Sequence, residues 1–342
     1  MKSKASFFVT LFALVIVGAT GCQQDTPANS KNSNDADSKS SRSFAFNYGA
    51  TILDVPTDAT VRVWYPIAQS NGQQEVSLAE KNTPTEMQMN RDEKYNNQIG
   101  YFEIKPDTLK ENQIEFALKY DVVRHEASVD DAAKNLTDEQ KSLFLAANSL
   151  VPVDGKPTEL LKDKELVDDS MAAGKQLYEI VEDHMKYDKS QPGYGNGDSA
   201  WACDSKTGNC TDFHSLFISL ARNQKIPARF EIGFPLPPKK DGDSDGQPKV
   251  VKGYHCWAWF HSKGKGWAPV DISEADKHPE MKEYYFGKLT QDRVAFSTGR
   301  DIELVPAASA QPLNYLVYPH VEVDGKLWPK DKIKLNFSYT DK

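Results

Sequence analysis

The chain has 342 residues, of which 39% are apolar, and its formal net charge is −8. That length allows two domains, and that apolar fraction is large enough to build buried cores. Proteins that bind nucleic acid usually carry a basic face, so the acidic balance argues against a nucleic-acid partner.

The first 22 residues are predicted to be a targeting signal. Two lysines precede an apolar run from Phe7 to Val17, which is short for a membrane span. Ala19-Thr20-Gly21-Cys22 follows and resembles the lipobox of bacterial lipoproteins, although its alanine stands where leucine is more frequent. Diacylation of Cys22 would anchor the protein outside the cytoplasmic membrane, at the cell envelope. The alternative is an ordinary signal peptide in which Cys22 is incidental.

A β-rich segment is predicted after a polar tether. Residues 23–42 contain almost no apolar side chains, which is typical of a flexible linker. From Ser43 onward, apolar residues alternate with polar ones and turn residues separate the runs. We therefore predict an antiparallel β-sandwich-like domain over residues 43–129. It is either a plain structural domain or a module that binds a substrate or partner.

Helical patterns follow the β-rich segment. Residues 138–147 form one, with Asn135 or Thr137 as its cap, and residues 165–187 form another. Alternation returns near the C-terminus, where Asp324-Gly325 is typical of a hairpin turn. These late strands belong either to the sheet of the second domain or to the N-terminal β-domain.

The stretch from Gly208 to Arg229 has the features of a nucleophile site. A glycine turn precedes Cys210, and apolar residues at helical spacing then continue until Ile226-Pro227 forces an extended chain. Cys210 would thus lie at the start of a helix, where free N–H groups and the helix dipole favour a thiolate. The alternative is a small buried cysteine that only packs.

Two predicted strands downstream supply the partners of a nucleophile. Residues 253–260 and 266–271 read as a hairpin joined by a polar loop, and counting from its midpoint places Asp271 within one position of being opposite His255. A carboxylate beside a histidine fixes its tautomer and stabilises the imidazolium, and that histidine can then accept a proton from a thiol.

These residues together resemble the transglutaminase-like superfamily. The matching residues are Gly208-x-Cys210-x-Asp212-Phe213, Ile226-Pro227-Ala228-Arg229, His255-x-Trp257 and Gly266-Trp267-x-Pro269-x-Asp271. The resemblance implies an α+β fold with a papain-like core over residues 130–342, in which Cys210 is the nucleophile, His255 the general base and Asp271 its orienting partner. One departure is Asn223-Gln224-Lys225, which stands where the family usually has a glycine before Ile-Pro.

Two tryptophans are predicted to contact the substrate. Trp201 follows a loop rich in glycine and proline that precedes the Cys210 helix, and Trp257 shares a strand face with His255. The backbone N–H of Cys210 is expected to stabilise an oxyanion, and Trp201 or a residue of its loop is a candidate for the second donor.

Metals and disulfides offer alternative roles for the same residues. A zinc site could be drawn from Cys203, Cys210, His214, His255 and Cys256, but no Cys-x-x-Cys pair is present. Residues 241–246 match the first half of a calcium-binding loop whose twelfth position is Lys252 instead of glutamate. We therefore expect no metal and no cofactor. Among the cysteines, a Cys203–Cys256 bridge and a Cys203–Cys210 bridge both remain open.

The sequence thus predicts a lipid-anchored thiol enzyme of the cell envelope. A Cys-His-Asp set at this spacing would act on amide bonds of peptides or proteins through a cysteine thioester. Cell-wall peptides and surface proteins are the accessible amides, and the choice between hydrolysis and protein cross-linking stays open. The competing class is a non-catalytic binding module with the same fold.

Overall fold

The computed structural model describes residues 40–109, 111–130, 133–240 and 246–342, which belong to one compact unit. The predicted signal peptide, the lipidation site Cys22, most of the tether and most of the calcium-like loop lie outside these residues. Within the described ranges, no helix has both the length and the apolar character needed to span a membrane.

The described residues form short helices and many strands, which are numbered here in chain order. The strands are β1 (Ser41–Ile52), β2 (Val61–Ile67), β3 (Gln74–Asn82), β4 (Gln88–Arg91), β5 (Gln98–Ile104), β6 (Ile114–His125), β7 (Lys186–Tyr187), β8 (Thr207–Gly208), β9 (Ala228–Pro235), β10 (Lys249–Val250), β11 (His255–Ser262), β12 (Gly266–Val270), β13 (Arg293–Thr298), β14 (His320–Val323), β15 (Lys326–Leu327) and β16 (Ile333–Asp341). The helices are α1 (Asp138–Leu145), α2 (Ser170–His184), α3 (Ser199–Ser205), α4 (Cys210–Asn223) and α5 (Ile272–Lys277).

The N-terminal strands build the predicted sandwich, which is confirmed. One five-stranded sheet has the order β10-β16-β1-β6-β3 and the other the order β15-β14-β2-β5-β4. Aromatic side chains join the two sheets: Tyr65 of β2 stacks on Phe116 of β6 with ring centroids 4.8 Å apart. β16 pairs with β1 and β14 pairs with β2, so the late strands complete these sheets and not the sheet of the predicted site.

A separate four-stranded antiparallel sheet, in the order β12-β11-β9-β13, carries His255 on β11, and Asp271 directly follows the end of β12. Helix α4 packs on one face of it through Phe217, whose ring centroid lies 5.9 Å from that of Phe260. Helix α2 also packs against β11, the strand that carries Phe260. The two are so close that a Cβ on Gly174 would come within 2.4 Å of the Phe260 ring. This tight packing fixes the distance between α4 and the strands that face it.

Capping residues explain the helix boundaries. Thr137 caps α1 with a capping box to Gln140, as the sequence predicted. Helix α2 is shorter than predicted: it begins at Ser170 because the carboxylate of Asp169 accepts the N–H groups of Met171 and Ala172. It ends at His184 because the next residues form β7, which pairs in parallel with β8.

Helix α4 ends as its sequence suggested, and the missing family glycine is accommodated. Lys225 adopts φ +61°, a left-handed conformation that glycine takes more readily than lysine. The backbone N–H of Ile226 then donates to the carbonyl oxygen of Ala221 at 2.9 Å, which ties the loop to the end of α4. The loop before Pro227 therefore keeps a glycine-like geometry without a glycine.

Candidate active site

Cys210 is the first residue of α4 and is almost completely buried. Its predecessor Asn209 caps the helix by accepting the N–H of Thr211 at 2.8 Å, and the carboxylate of Asp212 accepts the N–H of Asn209 at 2.9 Å. These bonds hold the first turn rigidly and leave Cys210 at the positive end of the helix. This is the position that the sequence predicted.

His255 and Asp271 meet, but not through strand pairing. The hairpin register pairs Ala258 with Val270, so extending it by three residues places Ser273 opposite His255. β12 ends at Val270, and Asp271 turns aside to cap α5 by accepting the N–H of Glu274. From there its Oδ2 lies 2.7 Å from Nε2 of His255. Helix capping, and not the hairpin alone, brings the two side chains together.

Arg293 is a further partner of Asp271, to which the sequence analysis assigned no role in the site. It is buried on β13, and its Nη1 donates to Oδ2 of Asp271 at 2.9 Å, the same oxygen that His255 contacts. Burial alone would raise the pKa of Asp271, but the charges of His255 and Arg293 hold that pKa well below its usual range. Asp271 is therefore ionised at any pH at which the protein would work.

The thiol of Cys210 and the ring of His255 form a charge pair. Burial would raise the pKa of Cys210, but hydrogen bonds with Cys256 and His255 and the charge of His255 bring it well below its usual value. Burial would lower the pKa of His255, whereas Asp271 and Cys210 raise it to about 10. Since Asp271 occupies Nε2, the other ring nitrogen is left for Cys210. The favoured state near neutral pH is thus thiolate and imidazolium.

A second buried histidine, His214, lies one helical turn after Cys210. The backbone N–H of Ile272 donates to its Nε2 at 3.1 Å, so Nδ1 carries the proton of the neutral ring. Nδ1 lies 3.6 Å from the sulfur of Cys256. Burial lowers the pKa of His214 to about 4, so this ring is neutral where His255 is charged. The ring of His214 is therefore placed to support the site, and not to transfer a proton.

The three cysteines in the described residues are all free thiols, so neither of the two bridges considered is present there. Cys203 lies 3.6 Å from the carbonyl oxygen of Lys156, and burial raises its pKa. Cys256 faces α4 and contacts Oγ1 of Thr211 at 3.8 Å. The second thiol also acts on the predicted nucleophile, because a hydrogen bond from Cys256 lowers the pKa of Cys210.

A glycine-rich loop is fastened beside the start of α4. The carboxylate of Asp212 accepts the N–H groups of Gly195 at 2.7 Å and Gly197 at 2.9 Å, and burial raises the pKa of Asp212 to about 6. On its other side the loop is held by Arg300, whose Nη2 donates to the carbonyl of Gly197 at 3.2 Å. Gly197 has φ +61°, and a Cβ there would come within 2.6 Å of Oγ of Ser215. The loop therefore forms a fixed wall next to Cys210.

The structure places the two predicted substrate-binding tryptophans differently. Trp201 is partly buried in α3, and its indole nitrogen lies so close to Gly193 that a Cβ there would come within 2.8 Å. Trp257 is fully buried and donates its indole N–H to Glu231. Trp201 lies at the loop that borders the site, and Trp257 forms a layer behind His255. Their substrate-binding roles remain predictions.

Tyr254 is a neighbour of the thiol that the sequence reading missed. Its hydroxyl accepts a hydrogen bond from Nδ2 of Asn209 at 3.1 Å and lies 3.0 Å from Oγ1 of Thr211, the residues on either side of Cys210. Burial and the charge of Cys210 raise its pKa, so it stays a neutral donor.

In the described residues, no group of histidine, cysteine and acidic side chains has the arrangement of a metal site.

Comparison with known proteins gives a family match over the region that holds these residues. Residues 158–272 match the family model described as the transglutaminase-like superfamily. That range begins before α2 and ends just after Asp271, so it includes all three predicted catalytic residues. Residues 158–272 are therefore similar to the transglutaminase-like superfamily, as the sequence predicted.

Two individual proteins are similar to this chain, one in sequence and one in structure. A Haemophilus influenzae protein described as uncharacterized is 30% identical over 197 residues, which cover 50% of this chain and 51% of that relative; the match thus spans about half of the relative's length. A crystal structure from Cytophaga hutchinsonii, described as a candidate cysteine protease, is 13% identical with a TM-score of 0.54 and covers 89% of this chain and 98% of that one. The latter likeness supports the α+β fold alone.

Proposed function

We propose that this protein is a thiol enzyme that transfers acyl groups from amide bonds of peptides or proteins. The observation that carries the proposal is the arrangement of Cys210, His255 and Asp271, in which a buried ionised carboxylate lies 2.7 Å from the histidine that faces the thiolate. A charge pair of this kind supplies a nucleophile and a general acid at the same time.

The residues define a two-step reaction. The Cys210 thiolate attacks the amide carbonyl carbon, and the carbonyl oxygen becomes an oxyanion beside the first N–H groups of α4. The His255 imidazolium then donates its proton to the departing amine, which leaves a thioester on Cys210. Water or a second amine resolves the thioester with His255 as the base. Asp271 keeps the ring oriented in both steps.

The second oxyanion donor is proposed to come from the Gly195–Trp201 region. Its backbone is fastened to Asp212 and Arg300, so a donor placed there would keep its position during the reaction. Trp201, the residue predicted from the sequence, lies at the end of this segment. The mechanism with water is a peptidase or amidase reaction, and the mechanism with an amine is a cross-linking reaction.

We place this activity at the cell envelope. Acylation of Cys22 would hold the compact unit of residues 39–342 on the outer side of a membrane, where wall peptides and surface proteins are the accessible amides. Mass spectrometry of the membrane fraction, compared with a Cys22→Ser chain, tests the anchor. Release of the variant into the soluble fraction is expected, whereas unchanged membrane association contradicts the anchor.

One observation favours the competing class, a binding module without catalysis. Only 3% of the surface of Cys210 and 6% of that of His255 are exposed, so an extended peptide has little access to the thiol as it stands. A catalytic protein would have to move part of the surrounding wall to admit a substrate. The first experiment therefore has to test the reactivity of the thiol directly.

That experiment is alkylation of the reduced full chain by iodoacetamide as a function of pH, resolved by site with mass spectrometry. Cys210 should react at a pH well below that of an ordinary thiol, and His255→Ala should move its reaction toward the ordinary range. Cys203 is an internal control, because its pKa is raised and its thiol contacts the carbonyl oxygen of Lys156, while His184 contacts only its backbone carbonyl. If Cys210 and Cys203 titrate alike, the binding-module interpretation replaces the enzyme.

A substrate assay follows if the thiol is reactive. The protein is incubated with a glutamine peptide and a primary amine, or with a wall-type peptide and no added amine. Mass spectrometry then identifies the products. Amine incorporation identifies a transferase, and cleavage identifies a hydrolase. A Cys210→Ala chain controls for contaminating activity, since it keeps the fold but lacks the nucleophile.

A further inference from the structure

A second polar cleft lies away from Cys210, on the face of the catalytic sheet that α4 does not cover. Its volume is about 330 Å³, and it lies between β9, β13 and the loops near residues 69–74 and 95–97. Side-chain amides line much of it, including those of Gln69, Asn71 and Asn96. Clefts that bind small ligands begin at roughly 300 Å³, so this one has room for a molecule of modest size.

Arg229 is the unusual residue of this cleft. Its guanidinium lies between two indole rings, 5.3 Å from the ring centroid of Trp259 and 4.4 Å from that of Trp267. Nε is buried without a hydrogen-bond partner, and among the described residues no N–H of this guanidinium donates to a protein group. Stacking uses only the faces of the guanidinium, so its in-plane donors stay available.

Arg124 and Arg293 also have a buried Nε without a partner, but unlike Arg229 they donate a hydrogen bond through Nη1. Every buried arginine in the described part of the chain donates at least one hydrogen bond. They are Arg42, Arg124, Arg222, Arg293 and Arg300. A guanidinium without a partner in a polar cleft is costly unless water or a ligand satisfies its donors.

Glu231 supplies the opposite charge two residues further along β9. Its Oε2 accepts the indole N–H groups of Trp257 and Trp259, the latter at 3.0 Å. Its other oxygen, Oε1, accepts no hydrogen bond from the described residues, and Glu231 makes no ion pair with Arg229 there. The cleft thus presents Arg229 and Glu231 side by side, each with an unoccupied edge, and Asp130 adds a second carboxylate to the lining.

We propose that this cleft binds a small zwitterion, an amino acid or a short peptide. Its carboxylate would accept paired hydrogen bonds from the guanidinium edge of Arg229, and its ammonium group would donate to Oε1 of Glu231. The lining amides would hydrogen-bond the remaining polar atoms. This site is additional to the proposed enzyme function and does not depend on Cys210.

The position of the cleft connects it to the catalytic sheet. Trp257 donates to Glu231, and its ring centroid lies 6.0 Å from that of His255. A ligand on Glu231 would therefore be separated from His255 by a single indole layer. It would contact neither the thiol nor the ring of His255.

Calorimetric titration of the full chain carrying Cys210→Ala tests the proposal without turnover of the probe. Glycylglycine and L-alanine are the probes, and acetate and methylamine carry each charge alone. At least one of the two zwitterions should bind about tenfold more tightly than acetate or methylamine. Arg229→Lys should weaken the binding of that zwitterion by about tenfold, because lysine lacks the paired donors. Glu231→Gln, which can still accept from the indoles, should reduce the zwitterion to the affinity of acetate.

Arg62→Lys is the matched control, because Arg62 also stacks on a tryptophan, at 4.5 Å from Trp64, but pairs with Glu322 in another sheet. Nuclear magnetic resonance of the indole N–H groups gives a second readout without a cleft mutation. Signals of Trp257 and Trp259 should move with glycylglycine, while that of Trp328, which donates to Leu53, should not. No binding up to about 100 mM, or equal binding by Arg229→Lys, would overturn the site.

Discussion

The region around Cys210 and the Arg229 cleft both place charged groups in or near the interior, yet they satisfy those charges in opposite ways. Near Cys210, the carboxylate of Asp271 accepts hydrogen bonds from His255, Arg293 and Ser273, so two opposite charges lie within hydrogen-bond distance of it. In the cleft, Arg229 stacks on two ring faces, and the carboxylates of Glu231 and Asp130 act on it only through their charge. A paired interior charge sets the pKa of its neighbours, whereas an unpaired one is open to a ligand.

Asp271 should have the largest single effect on chemistry, because it is the shared partner in the first region. Asp271→Asn keeps an oxygen for the N–H of Glu274 but removes the charge that favours imidazolium. We expect turnover, or the alkylation rate of Cys210 at neutral pH, to fall by about 10³-fold or more. Asp276→Asn, which keeps an oxygen for the N–H of Tyr187 and removes only the charge paired with Lys186, should leave the rate unchanged. Equal rates for wild type and Asp271→Asn would show that the carboxylate does not act on the pair.

The next largest difference is expected in the free energy of unfolding, between variants of Arg293 and of Arg229. Arg293 lies 4.8 Å from the Trp257 ring and also pairs with Asp271, whereas Arg229 only stacks. Arg293→Met should lower the free energy of unfolding by roughly 3 kcal/mol, since it breaks a buried ion pair. Arg229→Met should change it by about 1 kcal/mol or less, the scale of a cation–π contact. Urea unfolding measures both, and equal losses would remove the distinction between the two regions.

His214 contributes a pH-dependent effect of similar size. Its pKa is about 4 in the folded protein, below the ordinary value of 6.5, so the folded state disfavours its proton. The stability that it contributes is complete above pH 6.5 and is lost as the pH falls toward 4, by roughly 3 kcal/mol. Asp212, with its pKa raised to about 6, acts in the opposite direction, because its contribution is lost as the pH rises.

The readout is therefore the difference between His214→Gln and wild type in urea unfolding at neutral and acidic pH. The variant should lose stability at neutral pH and show a smaller loss on acidification. His278→Gln, at a histidine whose side chain is 52% exposed, is the control and should follow wild type. If the two histidine variants have the same pH dependence, the ring of His214 is not held neutral by burial.

The smallest expected effect concerns the second thiol. Cys256 lowers the pKa of Cys210 through a hydrogen bond, so Cys256→Ala should raise the pH midpoint of Cys210 alkylation by about one unit or less. Cys256→Ser, which keeps a hydrogen-bond donor, should remain closer to wild type. A midpoint that is unchanged in Cys256→Ala would assign the low pKa of Cys210 to His255 and the helix alone.

Local sequence patterns predicted the parts of the site that local forces determine. The start of α4 follows from the glycine turn and the apolar spacing, and the hairpin follows from the polar loop between two apolar runs. The approach of Asp271 to His255 was predicted by counting, but its cause is the cap of α5, which the counting did not include. The tether, the signal and Cys22 remain predictions.

Long-range partners could not be read in the same way. Arg293 is 22 positions from Asp271 and lies on a different strand, so no spacing rule connects them. The loop at Gly195 and Gly197 reaches Asp212 only because the chain folds back across α3. The open choice for the late strands was likewise decided by pairing between distant residues, with β16 joining β1.

That last pairing has a consequence for assembly of the chain. Arg42 and Asp341 bond across 299 positions, and β9 pairs with β11 on one side and with β13 on the other, both of which follow it in the chain. A chain cut between β9 and β10 would leave two fragments, each missing strands that the other holds. Neither fragment could bury its sheets alone, but mixed together they should reassemble, as split reporter proteins do, and regain the Cys210 site only as a pair.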